Sequence, residues 1–393
     1  MFNLATATKY LKEAHIDAWL LYDFRGCNYI AHRILGQTPV ATRRYFLIIE
    51  PGRTPIVICN ILDKPQFEFC KFKKYYYSRL EEMLQCLRQY LLRYQRIITE
   101  YSPAAAIPSM SIMDAGTYEL LKEINPALKI LSSADCYQLA CGSWEVDSLQ
   151  RHYDACQEVT QIKDIAFCFL KDSITKGMKV TEYDVQQVIL KEFASRGLIT
   201  EDVPVVAVNE NSSDPHYEPS ETLYREIKEG DWVLIDLWAK FPESSAVFAD
   251  ITWVGYMGDI VPNKYVQIFE IVKEMRDAVV KLLQRNWNNG IITEGWQADD
   301  AARDVARKYN LETYFIHRTG HSIAPGEILH SLTVNLDNYE TKDTRKILPG
   351  LGFSVEPGIY LPEFGVRSEI NVYVDSQEGP IVTTEQQDKI LTF

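Results

Sequence analysis

A chain of 393 residues is long enough for two domains, each with a core of its own. At 46% hydrophobic and 24% charged residues it has the composition of a globular protein, not of a disordered or fibrous one. A net charge of −13 sets it against the anionic surfaces of nucleic acids and membranes, so neither is expected as a general partner.

The opening Met1-Phe2-Asn3-Leu4-Ala5-Thr6-Ala7-Thr8-Lys9 lacks the basic region, apolar core and cleavage site of a signal peptide. No apolar run reaches membrane-spanning length. Eight cysteines, all between Cys27 and Cys168 and without a CxxC pair, read as free thiols of a cytoplasmic protein.

Residues 2–14 have helical spacing and lead into a strand at 18–22. Strands are predicted again at 45–49, 55–59 and 96–99, with helices at 81–92 and 113–124. This N-terminal part is α/β and carries no motif that points to chemistry. Arg43-Arg44 and the lysines of 71–74 read as solvated basic surface. Near residue 142 the character changes. Ser143 is expected to cap a long helix reaching about Lys176. Thr181-Glu182-Tyr183-Asp184 caps a second helix that Gly197 ends. Strands dominate from there, interrupted by helices near 262–285, where Pro262 suits the first turn, and 297–309.

Two pairs of acids stand out in this second half. Asp236 and Asp250 sit in apolar runs, 233–238 and 248–253, placed symmetrically about a turn-like 241–245. Glu356 and Glu369 repeat the arrangement about 362–365. If each segment is a hairpin, each pair lies cross-strand, where like charges repel. Buried carboxylates are also costly unless neutralised. A single acid in an apolar strand is ordinarily a solvated edge or an internal hydrogen bond. The joint pattern, whose four negative charges two divalent cations would cancel, points to a dinuclear metal site. Between the pairs lies His317-Arg318-Thr319-Gly320-His321, whose spacing puts both imidazoles on one side of a helix or strand. Gly320 and Pro325 favour a strand running into a loop. With no cysteine in this half, oxygen and imidazole ligands favour Mn²⁺ or a similar ion over a thiolate zinc centre.

These residues resemble the pattern of the pita-bread metallopeptidases, family M24, the group of methionine aminopeptidase, prolidase and Xaa-Pro aminopeptidase. The matching positions are Asp236, Asp250, His321 in Thr319-Gly320-His321, Glu356 in Val355-Glu356-Pro357-Gly358, and Glu369 in Val366-Arg367-Ser368-Glu369. The resemblance covers about residues 145–390. The first 142 residues are more loosely similar to the creatinase/prolidase N-terminal domain, which methionine aminopeptidases lack. It implies an α/β domain at 1–142 and an α+β pita-bread catalytic domain at 143–393, in the proline-directed branch.

The resemblance also implies roles. Asp236 would chelate one ion and His321 with Glu356 the other, while Asp250 and Glu369 bridge them. The ions would be Mn²⁺, with Co²⁺, Zn²⁺ or Fe²⁺ as alternatives, holding a bridging hydroxide, and Glu356 would double as proton acceptor. His216 in Asp214-Pro215-His216-Tyr217, His317 and His330 match the family's active-site histidines, suited to donor and shuttle work. His330 stands nine residues after His321 where the family has seven, a two-residue insertion within 324–329. Arg367, two residues from Glu369 and so on the same strand face, would pair with Asp236. Tyr360 resembles the family's site tyrosine. A homodimer or larger assembly is implied as well.

The expected activity is hydrolysis of Xaa-Pro bonds in peptides or dipeptides, as aminopeptidase or dipeptidase. Proline's tertiary amide and fixed φ call for a dedicated pocket. The insertion before His330 leaves room for a small non-peptide substrate resembling ectoine or dimethylsulfoniopropionate. A catalytically dead binding module, or a metal-free hydrolase like creatinase, would have lost ligands that this chain keeps.

Overall fold

The computed structural model describes residues 2–326 and 328–393, in two compact units, Met1–Gly142 and Ser143–Phe393. In the first unit the elements run α1 (Leu4–Glu13), β1 (Ala18–Asp23), α2 (Tyr29–Leu35), β2 (Tyr45–Ile49), β3 (Ile56–Asn60), β4 (Lys73–Tyr77), α3 (Leu80–Leu91), β5 (Arg96–Thr99), α4 (Ala115–Ile124), β6 (Lys129–Ser132) and α5 (Ala134–Gly142). The strands form one mixed sheet in the order β4-β3-β2-β1-β5-β6. Lys73 and Lys74, read from sequence as plain solvated surface, belong to its edge strand β4. Lysine on a sheet edge discourages pairing with other chains, and Tyr75 to Tyr77 supply the β-propensity. At seven residues, α2 is too short to show a periodicity.

The second unit continues with α6 (Val146–Thr175), β7 (Val180–Thr181), α7 (Glu182–Ser195), β8 (Val205–Val208), β9 (Glu226–Ile227), β10 (Trp232–Ala239), β11 (Ala249–Tyr256), α8 (Asn263–Asn288) and α9 (Gly295–Lys308). Seven strands follow: β12 (Ser322–Ile323), β13 (Gly352–Val355), β14 (Gly358–Leu361), β15 (Phe364–Arg367), β16 (Ile370–Asp375), β17 (Gly379–Val382) and β18 (Leu391–Thr392). Two four-stranded sheets, β18-β11-β10-β8 and β12-β13-β16-β17, are joined by the pairs β14-β15 and β7-β9.

Helix ends correct the sequence reading in two places. The N-cap of α6 is Glu145, not Ser143. Pro262 occupies the N-cap of α8, one residue ahead of the first turn, where its missing N–H still costs nothing. Thr181 does cap α7, accepting from the Asp184 amide while Asp184 accepts from the Thr181 amide.

Strand alternation decides which face of β10 and β11 carries chemistry. Val233, Ile235, Leu237 and Ala239, with Ala249, Ile251 and Trp253, pack on one side against α6 and α7. The opposite parity sends Trp232, Leu234 and Val254 into the core built by α8, α9 and β13 to β16. Asp236, Asp250 and Thr252 share that parity, so they lie on this second face. Helix α8 covers that core with Tyr265, Phe269, Val272, Met275, Val279 and Leu283, an i, i+3, i+4 stripe.

Candidate functional site

The two acidic pairs do meet, but with a different register from the one expected. In the β10–β11 ladder Asp236 faces Thr252 and Asp250 faces Trp238, so the two acids are diagonal neighbours on one face. Glu356 and Glu369 lie in a gap between two ladders. The β13–β16 pairing ends at Val355 opposite Ile370, and the β14–β15 pairing begins at Gly358 opposite Arg367. The register carries across the gap, which leaves the two glutamates opposite each other with their amides bonded elsewhere, Glu356 to the Thr319 carbonyl and Glu369 to the Thr252 carbonyl at 3.3 Å. The histidine segment reverses the sequence expectation: His317 is in a loop that runs into β12, not a strand that runs into a loop.

Gly320 is what brings that segment close. A Cβ there would fall 2.0 Å from the Ser354 carbonyl oxygen, so any side chain would push the segment off β13. The contact is tied on both sides: the Ser354 amide donates to the His321 carbonyl at 2.8 Å and the Glu356 amide to the Thr319 carbonyl at 2.8 Å. From beneath, Asp299 of α9 accepts from the Thr319 amide at 2.9 Å, and Arg303 donates to the His317 carbonyl at 2.6 Å.

Ligand-type atoms of Asp250, His321 and Glu369, all buried, lie within 4.8 Å of one another. His321 Nε2 is 3.2 Å from Asp250 Oδ2 and 3.5 Å from Glu356 Oε1. Its Nδ1 faces the Ser322 carbonyl at 3.3 Å, which makes Nδ1 the protonated nitrogen and turns the Nε2 lone pair toward the carboxylates. Asp236 joins through Thr252, whose hydroxyl is 3.0 Å from Asp236 Oδ1 and 2.9 Å from Glu369 Oε2. A hydroxyl has one proton, so it serves only one of these two oxygens, while it accepts from Arg367 Nε at 3.0 Å.

Among the described residues the donors are therefore too few for these four carboxylates, three of them buried and Glu356 partly so. Asp236 Oδ2 takes Arg367 Nη2 and Glu356 Oε1 takes the Ser354 hydroxyl at 3.1 Å, but Glu369 Oε1 has no partner. Burial pushes Asp236 up to about 6 and Asp250 and Glu369 well above the usual carboxylate range, with neighbouring carboxylates adding to it. Burial acts on Glu356 too, but His321, His317, Arg367 and His330 more than offset it. Such a cluster wants positive charge. Its donor set, carboxylate oxygens and one imidazole lone pair, fits hard to borderline divalent cations.

The cluster forms the floor of a cavity of about 370 Å³. His216, His317, His330 and Arg367 line it, whereas Tyr360 stands behind the wall. Arg367 Nη1 donates to the Tyr360 hydroxyl at 3.0 Å, and that hydroxyl donates to His317 Nε2 at 2.8 Å, since His317 Nδ1 donates to the Arg318 carbonyl at 2.6 Å. Burial drops His317 to about 4, so it is neutral. The His330 ring packs on His321, centroids 4.1 Å apart, and the repulsion that protons on both rings would feel, together with burial, holds it near 3. The longer loop thus still delivers His330 to the cavity, although Glu327 within it lies outside the described residues.

Sequence reasoning missed the supports. Thr252 and Asn371 were findable by parity, two residues from Asp250 and from Glu369. Asn371 grips the Asp250 backbone at both ends, accepting from its amide and donating to its carbonyl, each at 2.9 Å. Asp299 and Arg303 gave no such signal, because their partners are distant in the chain.

The profile of metallopeptidase family M24 matches residues 154–376, a span that includes all five ligand-type side chains. A probable dipeptidase, PepE, of Mycobacterium tuberculosis is 30% identical over 204 residues, 51% of this chain and 49% of that protein. The Xaa-Pro dipeptidase of Pyrococcus furiosus is 27% identical over 234 residues, 59% of this chain and 61% of its own. The chain thus spans roughly half the length of the curated relatives it matches. The crystal structure of dipeptidase PepE from Mycobacterium ulcerans shares its fold, the pita-bread arrangement, with a TM-score of 0.66 at 20% identity over 99% of this chain and 96% of that one.

Proposed function

Since this chain belongs to metallopeptidase family M24, we propose that it is a dinuclear metal-dependent peptidase that cleaves the bond preceding a proline in peptides or dipeptides. The observation that carries the reading is the donor-poor cluster of Asp236, Asp250, His321, Glu356 and Glu369, all but Glu356 buried, lining one cavity. Asp236 would hold one cation, His321 and Glu356 the other, and Asp250 and Glu369 both. Bound divalent cations, Mn²⁺ by preference, supply a polarised scissile carbonyl and a water acidic enough to attack it.

The protein's own groups do the rest. Glu356, the carboxyl held lowest, accepts the proton of the attacking water. His216, His330 and His317 surround the place where the carbonyl oxygen gains charge and the amine leaves. Arg367 fixes Asp236, and Tyr360 fixes both Arg367 and the tautomer of His317, so these two are positioning residues. Proline specificity is supported by the name of the Pyrococcus furiosus relative. Eight free cysteines suit a cytoplasmic setting, and no helix among the described residues is long and apolar enough to cross a membrane. A homodimer or larger homo-oligomer completes the reading.

The test is turnover by purified, Mn²⁺-loaded protein of Ala-Pro, longer Xaa-Pro peptides and ectoine. Hydrolysis of a proline substrate that chelator abolishes and Mn²⁺ restores is the expected result. Turnover of ectoine with none of any proline substrate would replace this reading by a non-peptide one.

A further inference from the structure

We propose that this pocket discriminates against a free carboxylate on the proline, so that its substrates are peptides continuing beyond that residue and not Xaa-Pro dipeptides. The inference rests on the proline-directed reading above and concerns residues at the cavity mouth, away from the metal-type cluster.

A dipeptide carries its carboxylate one residue past the scissile carbonyl, only about 3.8 Å further along the Cα trace, so the charge must enter the same cavity. A guanidinium or ammonium free to pair would hold it best, since the histidines of the wall are the donors assigned to the scissile bond. The described wall contains two cations, Arg367 and Arg318. Arg367 is buried and committed to Asp236, Thr252 and Tyr360. Arg318, at the mouth, faces Glu340 with Nη1 to Oε2 at 3.6 Å. The other charged groups among the described residues of the mouth are Glu201, Asp202 and Glu218. Glu201 is fixed there, since its Oε2 accepts from the Leu329 amide at 2.8 Å beside His330.

Even with two dications bound and both arginines counted, the eight acids of the described wall leave it net negative. A carboxylate brought into this field meets like charge on several sides. In a longer peptide that group is a neutral amide carbonyl and the terminal charge lies outside. The substrate's N-terminal ammonium, and any basic side chain near the mouth, gain from the same field.

The experiment compares kcat/KM of Mn²⁺-loaded protein for Ala-Pro, Ala-Pro-NH₂ and Ala-Pro-Ala at low and high ionic strength. The amide and tripeptide should exceed the dipeptide by about tenfold or more, through KM, and the gap should narrow in high salt as exposed charges are screened. Glu340→Gln releases Arg318 at a half-exposed position where the fold does not depend on the pair, and should raise the dipeptide's kcat/KM by about tenfold relative to the amide's. Arg318→Gln should widen the gap. A wild-type protein that prefers Ala-Pro, or a gap that neither salt nor Glu340→Gln alters, overturns the inference while leaving the proline-directed reading intact. Failure of all three substrates removes that reading, and the inference with it.

Discussion

Both units of this protein bury carboxylates, and Glu100 in the first and the ligand-type cluster in the second are treated in opposite ways. In the first unit Glu100 is buried, yet both its oxygens are served. Trp19 Nε1 donates to Oε1 at 2.8 Å, the Ser133 hydroxyl to the same oxygen at 3.2 Å, and Asn28 Nδ2 to Oε2 at 2.9 Å. Neighbouring Asp23 likewise accepts from the Gly26 and Asn28 amides. In the second unit four carboxylates face one another and an imidazole lone pair, with Glu369 Oε1 left without a partner among the described residues. Burial is common to both, so burial does not mark function. What separates them is whether the protein supplies the donors or leaves a deficit for something else to fill.

The largest effect should come from the acid assigned both to hold a cation and to take a proton. Glu356→Gln is expected to lower kcat/KM on an Xaa-Pro substrate by about 10²–10⁴-fold, the usual cost of removing a general base. Steady-state kinetics checks it, and retention of near wild-type activity would break the comparison. Next comes the one strong donor of the cluster. Arg367→Met strands Asp236 without its counter-charge, which for a buried pair costs about 3–5 kcal/mol. Denaturant unfolding of the metal-free protein reads that loss, and titration with Mn²⁺ should show affinity weakened by about 10–100-fold.

How much of this was legible beforehand follows from the range over which each contact is encoded. Asp236 and Asp250 stood out because an acid in an apolar strand is a local anomaly, and the parity that gives them a common face is local as well. Their register was not, since Asp236 meets Thr252 only through the way β10 and β11 pair. The break that exposes Glu356 and Glu369 depends on where two ladders end, which no window of sequence encodes. Gly320 could be seen as a helix breaker, but its closeness to Ser354 belongs to packing. Arg318 and Glu340 are 22 positions apart and gave no sign of pairing at the mouth.

Asp250→Asn sharpens the comparison by making stability and function disagree. Burial first, then Glu356, raises the Asp250 carboxyl well above its usual range. A group raised on folding adds stability that is complete below its unfolded value, near 4, and is lost as pH rises through the folded value. At neutral pH the metal-free protein must carry a strained charge or a costly proton there, and asparagine relieves it. The metal-free variant should therefore be more stable than wild type at neutral pH, with the advantage vanishing as pH falls toward the unfolded value near 4. Added Mn²⁺ should reverse the order, because wild type alone gains the full binding energy. Differencing against the variant is needed because His317 and His330, held low by burial and by His321, pull the pH dependence the other way.

Glu100→Gln is the counterpart in the first unit, and its effect should be the smallest. Burial raises Glu100 to about 7 although three donors oppose the shift. Wild type should accordingly lose stability relative to the variant as pH rises from about 4.5 to 7, the same sign as for Asp250. Glutamine keeps the shape but turns an NH₂ toward one of the three donors, an offset of about 1–3 kcal/mol in the opposite sense, so the net change near pH 7 should be small. The distinguishing readout is the metal. Mn²⁺ should stabilise Glu100→Gln by as much as it stabilises wild type, because this carboxylate already has its donors. A Glu100 variant whose metal response weakened as that of the Asp250 variant does would mean that a full set of protein donors does not separate a structural acid from a ligand.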